Sequence, residues 1–341
     1  VNRFTRLLVL VAGLAFFIAL VLQARVRELA ATLARTGWAF LLLVAVWGVV
    51  YVSNTIAWRA LIGATAPIAG PAGQSARIPF LPAYAITVAS FAINYATPFV
   101  ALGGEPLKIA QAADWIGVDR AAASVVSFRV THTLGQMLFW LLAVPIGWVL
   151  LPHTLSARLG LLAAGVTFSI GVCLLILVFR HGFVVRALDA LHHIPVLRRL
   201  APRLERFRPT LAHVDGQLAV LTANERPRLV VAVFFEVVGR CIAMFEYYIV
   251  AWVEGIHISY PQAFFIGAIS QLTIIILIFV PLELGSREGG TRLGYTLLHL
   301  SPALGVYAGV ITHLRELTWI AIGLVVAWGL QRGAKRLVAS E

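Results

Sequence analysis

The side chains in this sequence most able to do chemistry are charges set in apolar surroundings, and two groups of them share one layout. In the first, Asn94 and Pro98 precede Gly103-Gly104-Glu105-Pro106-Leu107-Lys108, with Glu105 seven residues beyond the proline. In the second, Pro281 precedes Gly285-Ser286-Arg287-Glu288, and Glu288 again stands seven residues beyond it. A long apolar stretch with an arginine follows each: Arg129, 24 residues after Glu105, and Arg315, 27 after Glu288. Arg129, His132 and Gln136 fall on one face of a helix, Arg315 stands beside His313 and Glu316, and Glu236 and Arg240 have the spacing of an intrahelical ion pair. A charge at a bilayer centre costs about 2.5 to 3.5 kcal/mol on insertion scales, so each of these needs a partner or a polar cavity.

The layout suits an anion. Glycines allow positive φ and close approach of a ligand, Pro106 fits a first helical turn, and the helix end exposes N–H groups with a partial positive charge. Lys108, one of two lysines in the chain, adds a full charge in the first unit, and Arg287 does so in the second. Arg129 and Arg315 are candidate phosphate contacts, since guanidinium can hold phosphate through two hydrogen bonds. Glu105 and Glu288 could carry a proton, bind an ammonium group or cap the helices that follow. The competing reading is that these charges neutralise one another and hold helices together. Nine histidines occur without metal-ligand spacing, and no nucleophile elbow, Walker or dinucleotide motif is present, so no catalytic residue, metal site or cofactor is expected.

The elements that must position these groups are membrane helices. Hydrophobic residues make up 60% of the 341 and charged residues 12%, a balance foreign to a soluble domain. Apolar runs long enough to cross about 30 Å of hydrocarbon extend over Leu7 to Leu22, Gly37 to Ile62, Leu81 to Phe99, Ala121 to Leu151, Ala157 to Phe179, Leu229 to Val253, Ala263 to Val280 and Leu304 to Leu330. Two shorter segments, Gly104 to Gly117 and Gly289 to Leu300, read as half-helices or re-entrant elements. The expected fold is an all-α polytopic transmembrane bundle, one domain over 1–341, with repeat units at about 81–151 and 263–330.

Charge sets the orientation. Nine arginines against four acids lie between Arg180 and Arg228, which marks a basic cytoplasmic loop over 180–228. If each short segment carries the chain across, that loop, the N-terminus and Arg332, Lys335 and Arg336 share the cytoplasmic face. The two units then form an inverted repeat, and Arg25, Arg27 and Arg35 fall on the other face. Membrane orientation thus accounts for the net charge of +12, and nucleic acid is not an expected partner. Cys173 and Cys241 sit in apolar segments where a disulfide is not expected. Arg3 and Arg6 before Leu7 to Leu22, with no small-x-small site after them, read as a retained anchor.

The run Asn94-x3-Pro98-x4-Gly103-Gly104-Glu105-Pro106-Leu107-Lys108, then Ser127-Phe128-Arg129, then Pro281-x3-Gly285-x-Arg287-Glu288, resembles the flippase-like transmembrane region of lysylphosphatidylglycerol synthases. It is also similar to stand-alone members of that superfamily, including those associated with hopanoid lipids. The second unit has Leu284-Gly285-Ser286 where relatives often carry a more glycine-rich turn. The resemblance implies a bacterial inner-membrane flippase or lipid transporter, not an enzyme, acting on a phospholipid or another polar lipid. The alternatives are a membrane-embedded transferase on a lipid-linked substrate, with Glu105, Glu288 and His132 as acid or base, and a non-catalytic partner of lipid-synthesis enzymes. Substrate contacts are expected from Glu105, Lys108, Arg129, His132, Arg287, Glu288, Arg315 and Glu316.

Overall fold

A computed structural model describes residues 34–64, 77–96, 103–181, 225–277, 283 and 285–338. The expected anchor over Leu7 to Leu22, Pro98, Pro281 and most of the basic loop lie outside the described residues. Ten helices lie wholly within them: α1 Ala39–Ala64, α2 Phe80–Ala96, α3 Gly104–Ile116, α4 Val118–Leu150, α5 Leu155–His181, α6 Arg226–Ala243, α7 Phe245–Val253, α8 Tyr260–Ile276, α9 Ser286–Leu297 and α10 Pro302–Val338. No strand occurs among the described residues, and the fold is an all-α polytopic bundle. Lipid offers the backbone no hydrogen bonds, so helices that satisfy their own are the form these apolar runs can take. Four of them, over Ala39–Ile62, Val118–Leu150, Leu155–Leu177 and Pro302–Leu330, are long and apolar enough to cross a membrane, while α2 and α8 are shorter apolar helices.

One expected span, Leu229 to Val253, is two helices. The chain tightens at Met244, whose N–H bonds the Cys241 carbonyl three residues back. That carbonyl also accepts the Tyr260 hydroxyl at 2.7 Å, and Gly267 leaves room for Met244 and Tyr247, which a methyl group there would strike. The expected Gly104 to Gly117 and Gly289 to Leu300 segments are the short helices α3 and α9.

Side-chain contacts fix the direction of each helix. Arg59 of α1 donates to the Ile78 carbonyl just before α2, and Tyr51 meets Phe91 near the end of α2, so the two run antiparallel. Arg120 of α4 donates to the Ile62 carbonyl and Trp58 to Ser124, so α1 and α4 are antiparallel too. Helices α2 and α4 therefore point the same way, and α3 returns the chain between them. Its start lies at Ser90, Asn94 and Arg129, and its end packs among Ala83, Ile86 and Ala121.

The second unit repeats this design. Gly290 lies on Ser270 and Thr273 of α8, and Gly294 on Ile266. Gly309 of α10 lies on Glu288 and Thr291, and Gly305 on Arg292 and Tyr295. Helix α9 is thus antiparallel to both α8 and α10, which point the same way. Across the units, Glu316 of α10 faces Tyr95 while Gly323 lies on Val88 and Ala92, so α10 opposes α2. Gln136 of α4 bonds Gln271 of α8 and Gly147 meets Phe265, so α8 opposes α4. The two units are an inverted repeat.

These directions gather the ends of α1, α5 and α10 and the starts of α2, α4 and α6 on one face, with Arg77, Arg120, Arg226 and Arg228. The chain enters and leaves residues 182–224 there. We assign that face to the cytoplasm by the positive-inside rule. The opposite face holds the turn 151–154, the loop 254–259 and the α9–α10 turn. Cysteines placed singly at Ser156, Ser301 and Glu225, without Cys173 and Cys241, test the assignment. In right-side-out vesicles an impermeant maleimide should label the first two, and labelling at position 225 would reverse it.

On that opposite face Glu254 follows the last residue of α7 and accepts the Tyr295 hydroxyl at 2.9 Å, while Arg35 stacks 4.5 Å from the Tyr307 ring. Burial pushes the Glu254 carboxyl from 4.5 up to about 7, against the opposing pull of Tyr295 and Arg35. The fold therefore favours its neutral form. Stability should be highest at acid pH, fall as pH rises from about 4.5 through about 7, and level off above. Thermal unfolding in detergent should show this slope in the native chain and a shallower one in Glu254→Gln. Equal slopes would remove the assignment.

Candidate functional site

At the start of α3, Gly104 lies so close to α2 that a Cβ there would stand 2.0 Å from the Ser90 carbonyl oxygen. Asn94, expected at a backbone break, is still within α2 and reaches across to accept the Gly104 N–H at 2.7 Å. It supplies the cap that Gly103 has no side chain to give. Glu105 follows in the first turn and pairs with Arg129 of α4 at 3.4 Å. The Arg129 side chain remains 43% exposed, open to exchange one anionic partner for another.

Lys108 is 5% exposed and, among the described residues, makes no ion pair. Its ammonium stands 4.1 Å from the Trp58 ring centroid and 3.9 Å from that of Phe128. Two aromatic faces thus flank its nitrogen, with Glu236 and Glu105 within electrostatic reach. Beside it, His132 Nδ1 lies 2.7 Å from Glu236 Oε2, and Arg240 donates to the His132 carbonyl at 3.0 Å. The expected Glu236–Arg240 pair is present at 3.8 Å, but His132 of α4 is the nearer partner. Gly135 permits this approach, since a Cβ there would stand 2.7 Å from that of Glu236.

At the start of α9, Gly285 has φ 79°, where glycine alone sits without strain. Its N–H donates to Glu288 Oε2 at 2.8 Å, so Glu288 does cap its helix. The other carboxylate oxygen lies 3.3 Å from His313 Nδ1 of α10. Arg287 is buried, and one of its terminal nitrogens engages both Glu283 and Glu316. Glu283 reaches it from a backbone with φ 60°, a left-handed conformation unusual for a side-chain-bearing residue.

Arg315 departs from the phosphate contact expected of it. It is 0% exposed, and its Nε and Nη2 donate to Glu246 Oε2 at 3.1 and 2.7 Å. Trp47 Nε1 donates to the same oxygen at 2.8 Å, and the guanidinium lies 3.8 Å from the Trp47 ring centroid. In this structure Arg315 is a counter-charge to Glu246 of α7, with its Nη1 buried and without a hydrogen-bond partner. Arg129, its counterpart in the repeat, is open.

Tyr95 joins the two halves. It lies within electrostatic reach of Arg240 on one side and of Glu283, Arg287 and Glu316 on the other. A seam of charge runs from Glu105, Lys108 and Arg129 through His132, Glu236 and Arg240 to Arg287, Glu288 and Glu316. Glu105 and Glu288 do not touch among the described residues; Arg129 and His313 hold them separately. Buried atoms along the seam still lack hydrogen-bond partners: Glu105 Oε2, Glu236 Oε1 and Arg240 Nε in the first half, Arg287 Nε and Glu316 Oε1 in the second. Such atoms are rare in native interiors. No group of His, Cys, Asp or Glu among the described residues is placed as metal ligands would be.

Glu246, Glu283, Tyr95 and Trp58 were not expected here. Glu283 stands one turn before Arg287, a signal the sequence carries. Trp58 and Tyr95 look like ordinary membrane aromatics until the helices are assembled.

Inverted short helices around a buried charged seam define a polytopic all-α membrane protein. The chain belongs to the lysylphosphatidylglycerol synthase TM region family, which matches residues 5–324. That membership ties it to the lipid metabolism or transport of membranes. No curated protein and no solved structure matches it.

The closed Arg315–Glu246 pair predicts a characteristic mutational pattern. Arg315→Met leaves Glu246 buried and unpaired and should cost about 3 to 5 kcal/mol. Arg315→Met with Glu246→Met removes both charges and should recover most of the loss, read as thermal unfolding in detergent. A double variant as unstable as the single one would show that the pair is not closed on itself.

Proposed function

We propose that this chain is a flippase or lipid transporter of a bacterial inner membrane, moving a polar or charged headgroup along the seam while the acyl chains stay in lipid. The observation that carries this reading is Lys108, a buried lysine resting on Trp58 and Phe128 beside the start of α3 and the Glu105–Arg129 pair. A headgroup phosphate entering this half meets Lys108, takes Arg129 from Glu105, and faces the positive end of α3. Arg287 offers the same at the start of α9, and Glu105, His132, Glu288 and Glu316 exchange partners as the guest passes. No bond of the lipid is made or broken.

The test reconstitutes the purified chain in phosphatidylglycerol vesicles with a fluorescent phosphatidylglycerol, and reads its movement by quenching from outside. Lipid should redistribute and be recovered unchanged by mass spectrometry. Each charge-assisted contact is worth about 1.5 to 3 kcal/mol, so Lys108→Met and Arg129→Gln should each slow movement roughly tenfold or more. Arg129→Lys should fall between, since it keeps the charge and loses the two-pronged grip. Chemically altered headgroups would favour the transferase, and neither movement nor chemistry would leave the non-catalytic partner.

A further inference from the structure

Two crossings join the inverted units, α2 with α10 and α4 with α8, and they are built differently. Gly323 of α10 lies so close to α2 that a Cβ there would stand 2.7 Å from the Val88 carbonyl oxygen and 2.5 Å from Ala92 Cβ. Ala327 packs with Ala89 and Ile93, and Leu330 packs against Ala83 and Ile86. Small residues thus hold α2 on α10 down to the cytoplasmic face. The α4–α8 crossing starts from the opposite face and stops short. Gly147 meets the Phe265 ring, Phe139 meets that of Phe264, and Gln136 bonds Gln271 at 3.1 Å. That bond is the one nearest the cytoplasm among the hydrogen bonds and ring contacts that join these two helices in the described residues.

Below it the walls are uncovered. Ile275 stands one turn beyond Gln271 on the same side of α8 and is 48% exposed, with Ile276 beside it 64% exposed. On α4, Thr133 and Arg129 follow Gln136 toward the cytoplasm along one side, and the Arg129 side chain is 43% exposed. Positions that the helix period aims at the neighbouring helix are therefore left open by it, and the two helices frame a slot. One wall carries a guanidinium and the other hydrocarbon. Glu105 engages one terminal nitrogen of Arg129, at 3.4 Å, and a guanidinium has further donors to offer without losing that partner. Arg315, the counterpart in the second unit, is buried on Glu246 and opens onto no such slot.

We propose that the opening between α4 and α8, on the cytoplasmic side of Gln136 and Gln271, docks one phospholipid of the cytoplasmic leaflet, with its phosphate on Arg129 and an acyl chain along Ile275 and Ile276. The inference rests on Arg129 being a headgroup contact, as proposed above. An exposed guanidinium within a bilayer calls for an anion, and the isoleucine wall calls for an apolar chain. A phospholipid carries both in one molecule. Its headgroup points into the seam toward Glu105 and Lys108, its chains remain in lipid, and the Gln136–Gln271 bond closes the inner end of the slot.

Phosphatidylcholine vesicles holding the purified chain test this with two photoreactive probes, a phosphatidylglycerol and a diacylglycerol, each with a diazirine midway along one acyl chain. After illumination and digestion, mass spectrometry should find the phosphatidylglycerol probe enriched over the diacylglycerol probe on the segment bearing Ile275 and Ile276. The enrichment should be roughly tenfold, the value of one charge-assisted contact, and should be absent from α5 around the lipid-facing Ile170. In Arg129→Gln the two probes should label α8 alike. Ile275→Trp fills the slot and should slow movement of fluorescent phosphatidylglycerol roughly tenfold, whereas Ile170→Trp should leave it unchanged, both compared at native mobility on size exclusion. Equal labelling of α8 by the two probes in the native chain overturns the slot, and lipid movement that continues in that case leaves the transporter standing. Enrichment that survives Arg129→Gln overturns the phosphate contact, and native movement in Ile275→Trp overturns the slot as the lipid's way in. Enrichment in a native chain that moves no lipid overturns transport and leaves the docked phospholipid.

Discussion

A charge inside a bilayer must find its counterpart within the protein, and this requirement governs how the helices are arranged. Glu246 shows it in pure form: one carboxylate oxygen takes two guanidinium donors from α10 and the indole N–H of α1. Three helices are tied at one point, and the tie is worth most where water is absent. Glycines bring the helices close enough for such ties. At Gly135, Gly104 and Gly309 a side chain would force apart the very pairs that bring Glu236 to His132, Asn94 to the start of α3, and Glu288 to His313.

The inverted arrangement follows from the same constraint. A 13-residue helix cannot span the membrane alone, and its unpaired N–H groups cannot face lipid. Each short helix is therefore lodged between two parallel ones, α2 and α4 or α8 and α10, with a cap drawn from protein. The caps differ in origin. Asn94 crosses from α2, whereas Glu288 folds back on its own helix. Two solutions to one problem leave different groups free: Glu105 for Arg129 in one unit, and a carboxylate pair for Arg287 in the other.

Much of this was legible in the sequence. The matched proline-to-glutamate spacings located both short helices, and the opposed directions expected of the two units agree with the helix contacts. The fate of individual charges was harder to read. Arg129 and Arg315 occupy matching places in the repeat, yet Glu246 closes on one and not the other. Glu246 follows directly on the break at Met244 and pairs with Arg315 of α10, and nothing in an apolar run from Leu229 to Val253 announces that break. Lys108 was singled out for its charge, but its aromatic seat needs Trp58 from a helix 50 residues earlier.

On the proposed function, the asymmetry between the halves has a physical consequence for transport. A site that holds phosphate with equal strength at both ends gains affinity without gaining turnover, because a guest bound tightly everywhere is slow to leave. Here the cationic half offers Lys108 on aromatic faces, which a phosphate can take without evicting a carboxylate. The acidic half offers Arg287, one nitrogen of which already holds Glu283 and Glu316 while its Nε has no partner. A phosphate there stands beside two carboxylates, which weakens its hold. On that reading a pathway with one firmer and one weaker half binds at one end and releases at the other.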